Sequence, residues 1–221
     1  MDYQGPAPDD LANIKALNSS FLRAISGSSA DAFSSISTHK MSPAERTRLA
    51  SAPFLLFSFR ERDEEYWGRL LDNDPQYDLI DSAGRPDKQI RQLQVAGLSF
   101  LWQLARRNPY AVRLACGASV GWCEQLARLT LVDVLQRAGE RGDMLRLRFA
   151  DDKNLWRRLL ASGIAPSYRT RGASHHYALQ LMLTRRSTPQ ATRLSAAACG
   201  MRIPGAKTTQ RSTGGIRAPK V

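Results

Sequence analysis

The chain has 221 residues, an ordinary globular apolar fraction of 43% and a formal net charge of +12, and it is long enough to bury a sizeable core. Three cysteines are too few for a disulfide framework, and the longest charge-free apolar stretch, between Arg91 and Arg106, is too short for a bilayer span of about 20 residues. The opening Met1-Asp2-Tyr3-Gln4-Gly5-Pro6 is neither basic nor apolar, so no secretory signal is expected and the cytoplasm is the expected compartment.

A helix is predicted from near Asp9. Leu11, Ile14, Leu17, Phe21 and Ile25 recur at three- and four-residue spacing and build one apolar stripe. Asp9 and Asp10 suit the positive helix start, and Gly27 is a natural stop. Residues 26–38 are rich in Ser, Ala and Gly and read as a flexible linker inside the body. Ser42-Pro43-Ala44-Glu45 predicts another helix start, with Ser42 capping, Pro43 in the first turn and Glu45 completing a capping box. Pro53 ends that segment. Phe54-Leu55-Leu56-Phe57-Ser58-Phe59 is a short apolar run that fits a buried strand or part of a helix. Tyr66, Trp67, Leu70 and Leu71 predict a further helix, and residues 72–87 read as a loop. The cluster Asp63-Glu64-Glu65, flanked by Arg60 and Arg62, reads as a solvated helix face rather than a general-acid site.

The clearest helix spans about 88–107. Asp87 is its expected cap, Ile90, Leu93, Gly97, Phe100, Leu101 and Leu104 form its inner face, and Asn108-Pro109 ends it. Another is predicted over 120–138, with acid-first pairs at Glu124/Arg128 and Asp133/Arg137 and with Gly139 and Gly142 in the turn beyond. Met144-Leu145-Arg146-Leu147-Arg148-Phe149 alternates and predicts a short strand. Asp152 is placed to cap a helix through Leu160, with Trp156 as its core anchor and Gly163 closing it. The span 177–183 fits strand or helix. Trp67, Trp102 and Trp122 also sit on apolar stripes and are expected in the core. The fold class is therefore mainly α, a multi-helix body over 1–186 with two or three short strands. From Ser187 aliphatic residues are sparse, which predicts a disordered tail over 187–221.

Charge carries the functional reading. Residues 1–152 hold all 20 acidic residues and 19 basic ones, a net of −1, whereas thirteen Lys and Arg and no acid follow Asp152. Such an arm calls for a polyanionic or acidic partner. Its candidate contacts are Arg157 and Arg158 on the Trp156 helix, Arg169 and Arg171 in the loop that follows, Arg185 and Arg186 at the end of the next element, and Arg193, Arg202, Lys207 and Arg211 in the tail. Arginine forks match phosphate geometry. The tail has no aromatic residue, so its contacts would be to the backbone and insensitive to base sequence. Leu159–Ser167 has a helix-stop-helix pattern like that of a helix-turn-helix, but Gly172 is expected to interrupt its second helix.

Gly117-Ala118-Ser119-Val120-Gly121 matches the G-x-S-x-G elbow of serine hydrolases. Ala111–Cys116 could supply the strand before it, and Asp151 or Asp152 with His175 or His176 would complete the order Ser–Asp–His. Against this stand the helical region upstream and the lack of an oxyanion loop; a turn with Ser119 capping a helix explains the same residues. His175 and His176, adjacent in sequence, point apart on a helix or a strand and do not suit a shared metal. Cys116 and Cys123, on one helix, would be about 10 Å apart, and are expected as inert thiols. There is no phosphate loop and no dinucleotide fingerprint, so no cofactor is expected. The expectation is a non-enzymatic binding protein that contacts the nucleic-acid backbone through its basic C-terminal third. The alternative is an adaptor whose tail meets an acidic protein, and a serine hydrolase using Ser119 stands third.

Overall fold

A computed structural model of the protein describes residues 5–27, 41–71, 88–139 and 144–184. Among these the chain is mainly helical, as the patterning predicts. The helices are α1 (Pro8–Gly27), α2 (Pro43–Ala50), α3 (Glu64–Leu71), α4 (Lys88–Arg107), α5 (Pro109–Cys116), α6 (Val120–Arg128), α7 (Leu131–Gly139), α8 (Lys153–Ser162) and α9 (Tyr168–Thr184). Strands β1 (Phe57–Ser58) and β2 (Arg146–Leu147) pair antiparallel, with Phe57 opposite Leu147 and Ser58 opposite Arg146. No helix among the described residues is long and apolar enough to cross a membrane. The expected loop 72–87 with the Asp87 cap, Gly142, and the linker from residue 28 onward lie outside the described residues.

Helix α1 buries Ile14, Leu17, Phe21 and Ile25, as its spacing predicts. Leu11 departs from the stripe and is 40% exposed. The helix start is held by polar contacts instead. Asp10 accepts from the Ala7 N–H at 2.9 Å and pairs with Arg107 at the end of α4. Ser26 and Gly27 extend α1 rather than open a linker, with Ser26 Oγ donating to the Leu22 carbonyl at 2.6 Å.

The capping box of α2 forms as predicted, with the Glu45 N–H donating to Ser42 Oγ and the Ser42 N–H to Glu45 Oε2. The apolar run after Pro53 is not helical, and only Phe57 and Ser58 pair as a strand. Phe54, Leu55, Leu56, Phe57 and Phe59 are all fully buried. Buried backbone must find partners, and here Asn18 of α1 supplies several. Its Nδ2 donates to the carbonyls of Ala50 at 3.3 Å and Phe54 at 2.9 Å, and its Oδ1 accepts from the Leu56 N–H at 2.8 Å.

Helix α4 spans the predicted residues and packs on α1, α5, α6 and α7. Ile90, Leu93, Gly97, Leu101 and Leu104 face inward, while Phe100 is half-buried. Gly97 is needed for close approach, since a Cβ there would lie 2.6 Å from Phe59 Cζ. Asn108 ends α4 and also starts α5, its side chain accepting from the Ala111 N–H at 3.1 Å. Ala111–Cys116 is thus helix, not strand. The predicted helix over 120–138 is two helices. Thr130 and Asp133 cap α7 reciprocally, the Asp133 N–H donating to Thr130 Oγ1 at 3.1 Å and Thr130 Oγ1 to Asp133 Oδ2 at 2.6 Å. The Leu129 carbonyl, freed by the break, accepts from Trp102 Nε1 at 2.9 Å. The Arg137 side chain lies outside the described residues.

The predicted strand over 144–149 shortens to β2, and its stretch departs from simple alternation. Arg146 is exposed, but Arg148 is only 5% exposed. Its guanidinium donates to the carbonyls of Leu55 and Phe57, each at 2.6 Å, to that of Cys116, and to Glu61 Oε1 at 2.6 Å. Glu61 Oε2 in turn accepts from Ser58 Oγ and the Phe59 N–H. Trp156 Nε1 donates to the Arg148 carbonyl, which ties α8 to the same centre. Trp67 and Trp122 are likewise buried, and Trp102 is half-buried.

Candidate nucleic-acid interface

The described part of the basic arm is α8, a five-residue turn and α9. Asp152 caps α8 as predicted, accepting from the Leu155 N–H at 2.9 Å. Leu155, Trp156 and Leu159 face the core, which leaves Arg157 and Arg158 on the outer side. Gly163 caps the end of the helix, its N–H donating to the Leu159 carbonyl at 2.9 Å, and a Cβ there would sit 2.5 Å from that oxygen. The turn is held from two sides. Arg48 Nε donates to the Ile164 carbonyl at 2.6 Å, and Arg171 Nη1 to that of Ala165 at 2.8 Å.

Arg169 and Arg171 belong to α9 and not to a loop, and 177–183 is helix throughout. Gly172 does not interrupt α9; it lies in open space within a continuous helix. Ser167 starts the helix, accepting at Oγ from the Thr170 N–H, while its carbonyl accepts from the Arg171 N–H. A local cap and the contacts of α9 with α8 and α5 thus override the weak helix propensity of glycine.

The predicted arginines are not equivalent. Arg157 is exposed and donates to Asn154 Oδ1 at 3.1 Å. Arg158 is exposed and lies 4.5 Å over the ring of Tyr177. Arg169 is exposed. Arg171 is half-buried and braces the turn, so its role is positional. Arg185, Arg186, Arg193, Arg202, Lys207 and Arg211, with the whole tail 187–221, lie outside the described residues.

Sequence reasoning missed Tyr168, which is 80% exposed beside Arg169. The available signal was a tyrosine between a serine cap and an arginine, at a position that extends no apolar stripe.

The histidines part as expected. His176 is exposed, whereas His175 is 5% exposed and packs edge-on to Phe54, with ring centroids 6.4 Å apart. Burial pushes its pKa down to about 4, helped by the positive charges of Arg171 and His176. Cys116 and Cys123 are on separate helices, not one, and both are free and fully buried. Burial raises Cys116 well above the usual thiol range and Cys123 to about 11, so neither is a thiolate nucleophile at neutral pH.

Gly117-Ala118-Ser119-Val120-Gly121 joins helix to helix, where a hydrolase elbow follows a strand. Gly117 adopts φ +72° as the C-cap of α5, and its carbonyl accepts from Arg62 Nε at 3.1 Å. Ser119 caps α6, accepting from the Trp122 N–H at 3.1 Å. Asp152, one expected triad partner, caps α8. The acidic cluster is divided too. Glu64 and Glu65 are solvated, while Asp63 pairs with Arg60 at 2.6 Å and accepts from the Tyr66 N–H.

Comparisons of this chain with models of protein families, with curated proteins and with solved structures give no match.

Proposed function

We propose that this is a non-enzymatic cytoplasmic protein that contacts the nucleic-acid backbone through its basic C-terminal third. The observation that carries the reading is the run of thirteen cations after Asp152 with no acid among them. That third has no carboxylate side chain of its own to neutralise its arginines, and a polyanion can. Exposure of Arg157, Arg158 and Arg169 on the adjoining helices α8 and α9 supports a rigid part of the contact. Each phosphate so neutralised releases counterions, and the affinity gained in this way depends on salt rather than base sequence. The free thiols of Cys116 and Cys123 suit a reducing compartment.

The test is binding of labelled duplex and single-stranded DNA and RNA across a salt series. The full chain should bind with a steep negative dependence of log affinity on log salt. Replacing Arg157, Arg158 and Arg169 together by Gln should lower that slope by up to about 3, one for each phosphate no longer neutralised. Replacing Arg193, Arg202, Lys207 and Arg211 by Gln should lower it separately. A full chain that binds none of these probes at low salt overturns the reading, and acidic proteins then become the partners to seek.

A further inference from the structure

Tyr168 is the most exposed of the large apolar side chains among the described residues, at 80%. It opens α9 directly before the exposed Arg169. The Arg171 guanidinium lies 5.7 Å from its ring centroid and is itself anchored to the Ala165 and Pro166 carbonyls. The ring therefore has an anchored cation on one side and is largely open to solvent. A tyrosine has only two side-chain torsions to order, so such a ring is a ready stacking surface. Every base has a π-face that can lie on an aromatic ring, but in a duplex those faces are covered by neighbouring base pairs. The tail, without an aromatic residue, offers nothing comparable.

Resting on the backbone-binding reading above, we propose that Tyr168 is a stacking platform for an unpaired base, which makes the start of α9 a docking surface for single-stranded nucleic acid. Charge complementarity selects the occupant. Arg169, the next residue on α9 and itself exposed, is available to a phosphate of the same strand, and the Arg171 guanidinium lies on one side of the ring.

The experiment compares the full chain on three labelled probes of equal length at one salt concentration: an oligothymidine strand, the same strand with abasic sites, and a duplex. The wild-type chain should bind the base-bearing strand about tenfold more tightly than the abasic one, the scale of one base–aromatic stack. Tyr168→Ala should remove that preference while leaving abasic binding and the salt slope unchanged, and Tyr168→Phe should retain it. Thermal unfolding of both variants checks that the fold is kept, which the exposure of the ring leads one to expect. Equal wild-type binding of base-bearing and abasic strands overturns the stacking role and leaves the backbone reading standing. So does a Tyr168→Ala chain that keeps the preference or weakens on every probe alike. Failure of the wild-type chain to bind any probe at low salt overturns both.

Discussion

Arg148 and Glu61, 87 positions apart in the chain, form a 2.6 Å salt bridge in which the two side chains are 5% and 2% exposed. Around it converge the apolar run 54–59, the end of α5, strand β2 and, through Trp156, helix α8. The pair ties the N-terminal half of the protein to the segment that carries the basic face.

Breaking this pair from one side strands a charge in a dry setting. Glu61→Leu or Arg148→Met alone should each destabilise the protein by about 3–5 kcal/mol. The double variant should lose clearly less than the sum, because neither partner is left uncompensated. Urea unfolding of the four proteins gives the coupling directly, and additive losses would show that the pair is not coupled.

Trp156 is 5% exposed, and its ring nitrogen is bonded to the Arg148 carbonyl. Trp156→Ala should cost about 3–5 kcal/mol in chemical denaturation, as for other buried tryptophans. It should also loosen α8, which faster amide exchange between Leu155 and Leu159 would report. A loss below about 0.5 kcal/mol would place the ring outside the core.

Asn18 is fully buried, and its amide joins α1 to the backbone between Ala50 and Leu56. Asn18→Ala leaves a buried N–H and carbonyls without partners and should cost about 2–4 kcal/mol. Asn18→Asp should be at least as damaging, since it gives up the donor and adds a buried charge. Equilibrium unfolding would rank the two, and a harmless Asn18→Asp would contradict this account.

His175 predicts how stability responds to acid. Its folded pKa is lowered to about 4 from the usual 6.5, chiefly by burial. The unfolded chain therefore binds the proton more tightly than the folded one. The stability this group contributes is fully present above pH 6.5 and is lost as pH falls from there towards 4. Melting temperature should drop through that window in the wild-type chain, and the drop should be smaller in His175→Leu. Parallel curves for the two proteins would remove His175 as the source.

Much of the fold was legible because local rules decide it. The capping box at Ser42, the twenty-residue stripe of α4 and the Asp152 cap each form from residues close in sequence, so their spacing alone specifies them. The misread places have two different causes. Thr130 and Asp133 also form a local cap, but the continuous apolar pattern on both sides hid the break. Gly172 reads as an interruption, yet α9 runs through it because packing against α8 and α5 outweighs the modest cost of one glycine. At the candidate interface, the basic character of the arm was plain from counting charges, while the division of labour within it was not. Arg171 turned inward to brace a turn, and Tyr168 was left open beside Arg169.

The sequence by itself determined a mainly helical protein, most of its helix boundaries and the concentration of positive charge after Asp152, because periodicity, caps and composition act over a few residues. Only the tertiary structure decided that Arg148, in an alternating stretch that reads as outward-facing, goes to the centre. Its burial depends on carbonyls from Leu55, Phe57 and Cys116 and on the Glu61 carboxylate. A buried guanidinium is tolerated only where such acceptors converge, and no local pattern records acceptors that lie 32 to 93 residues from Arg148.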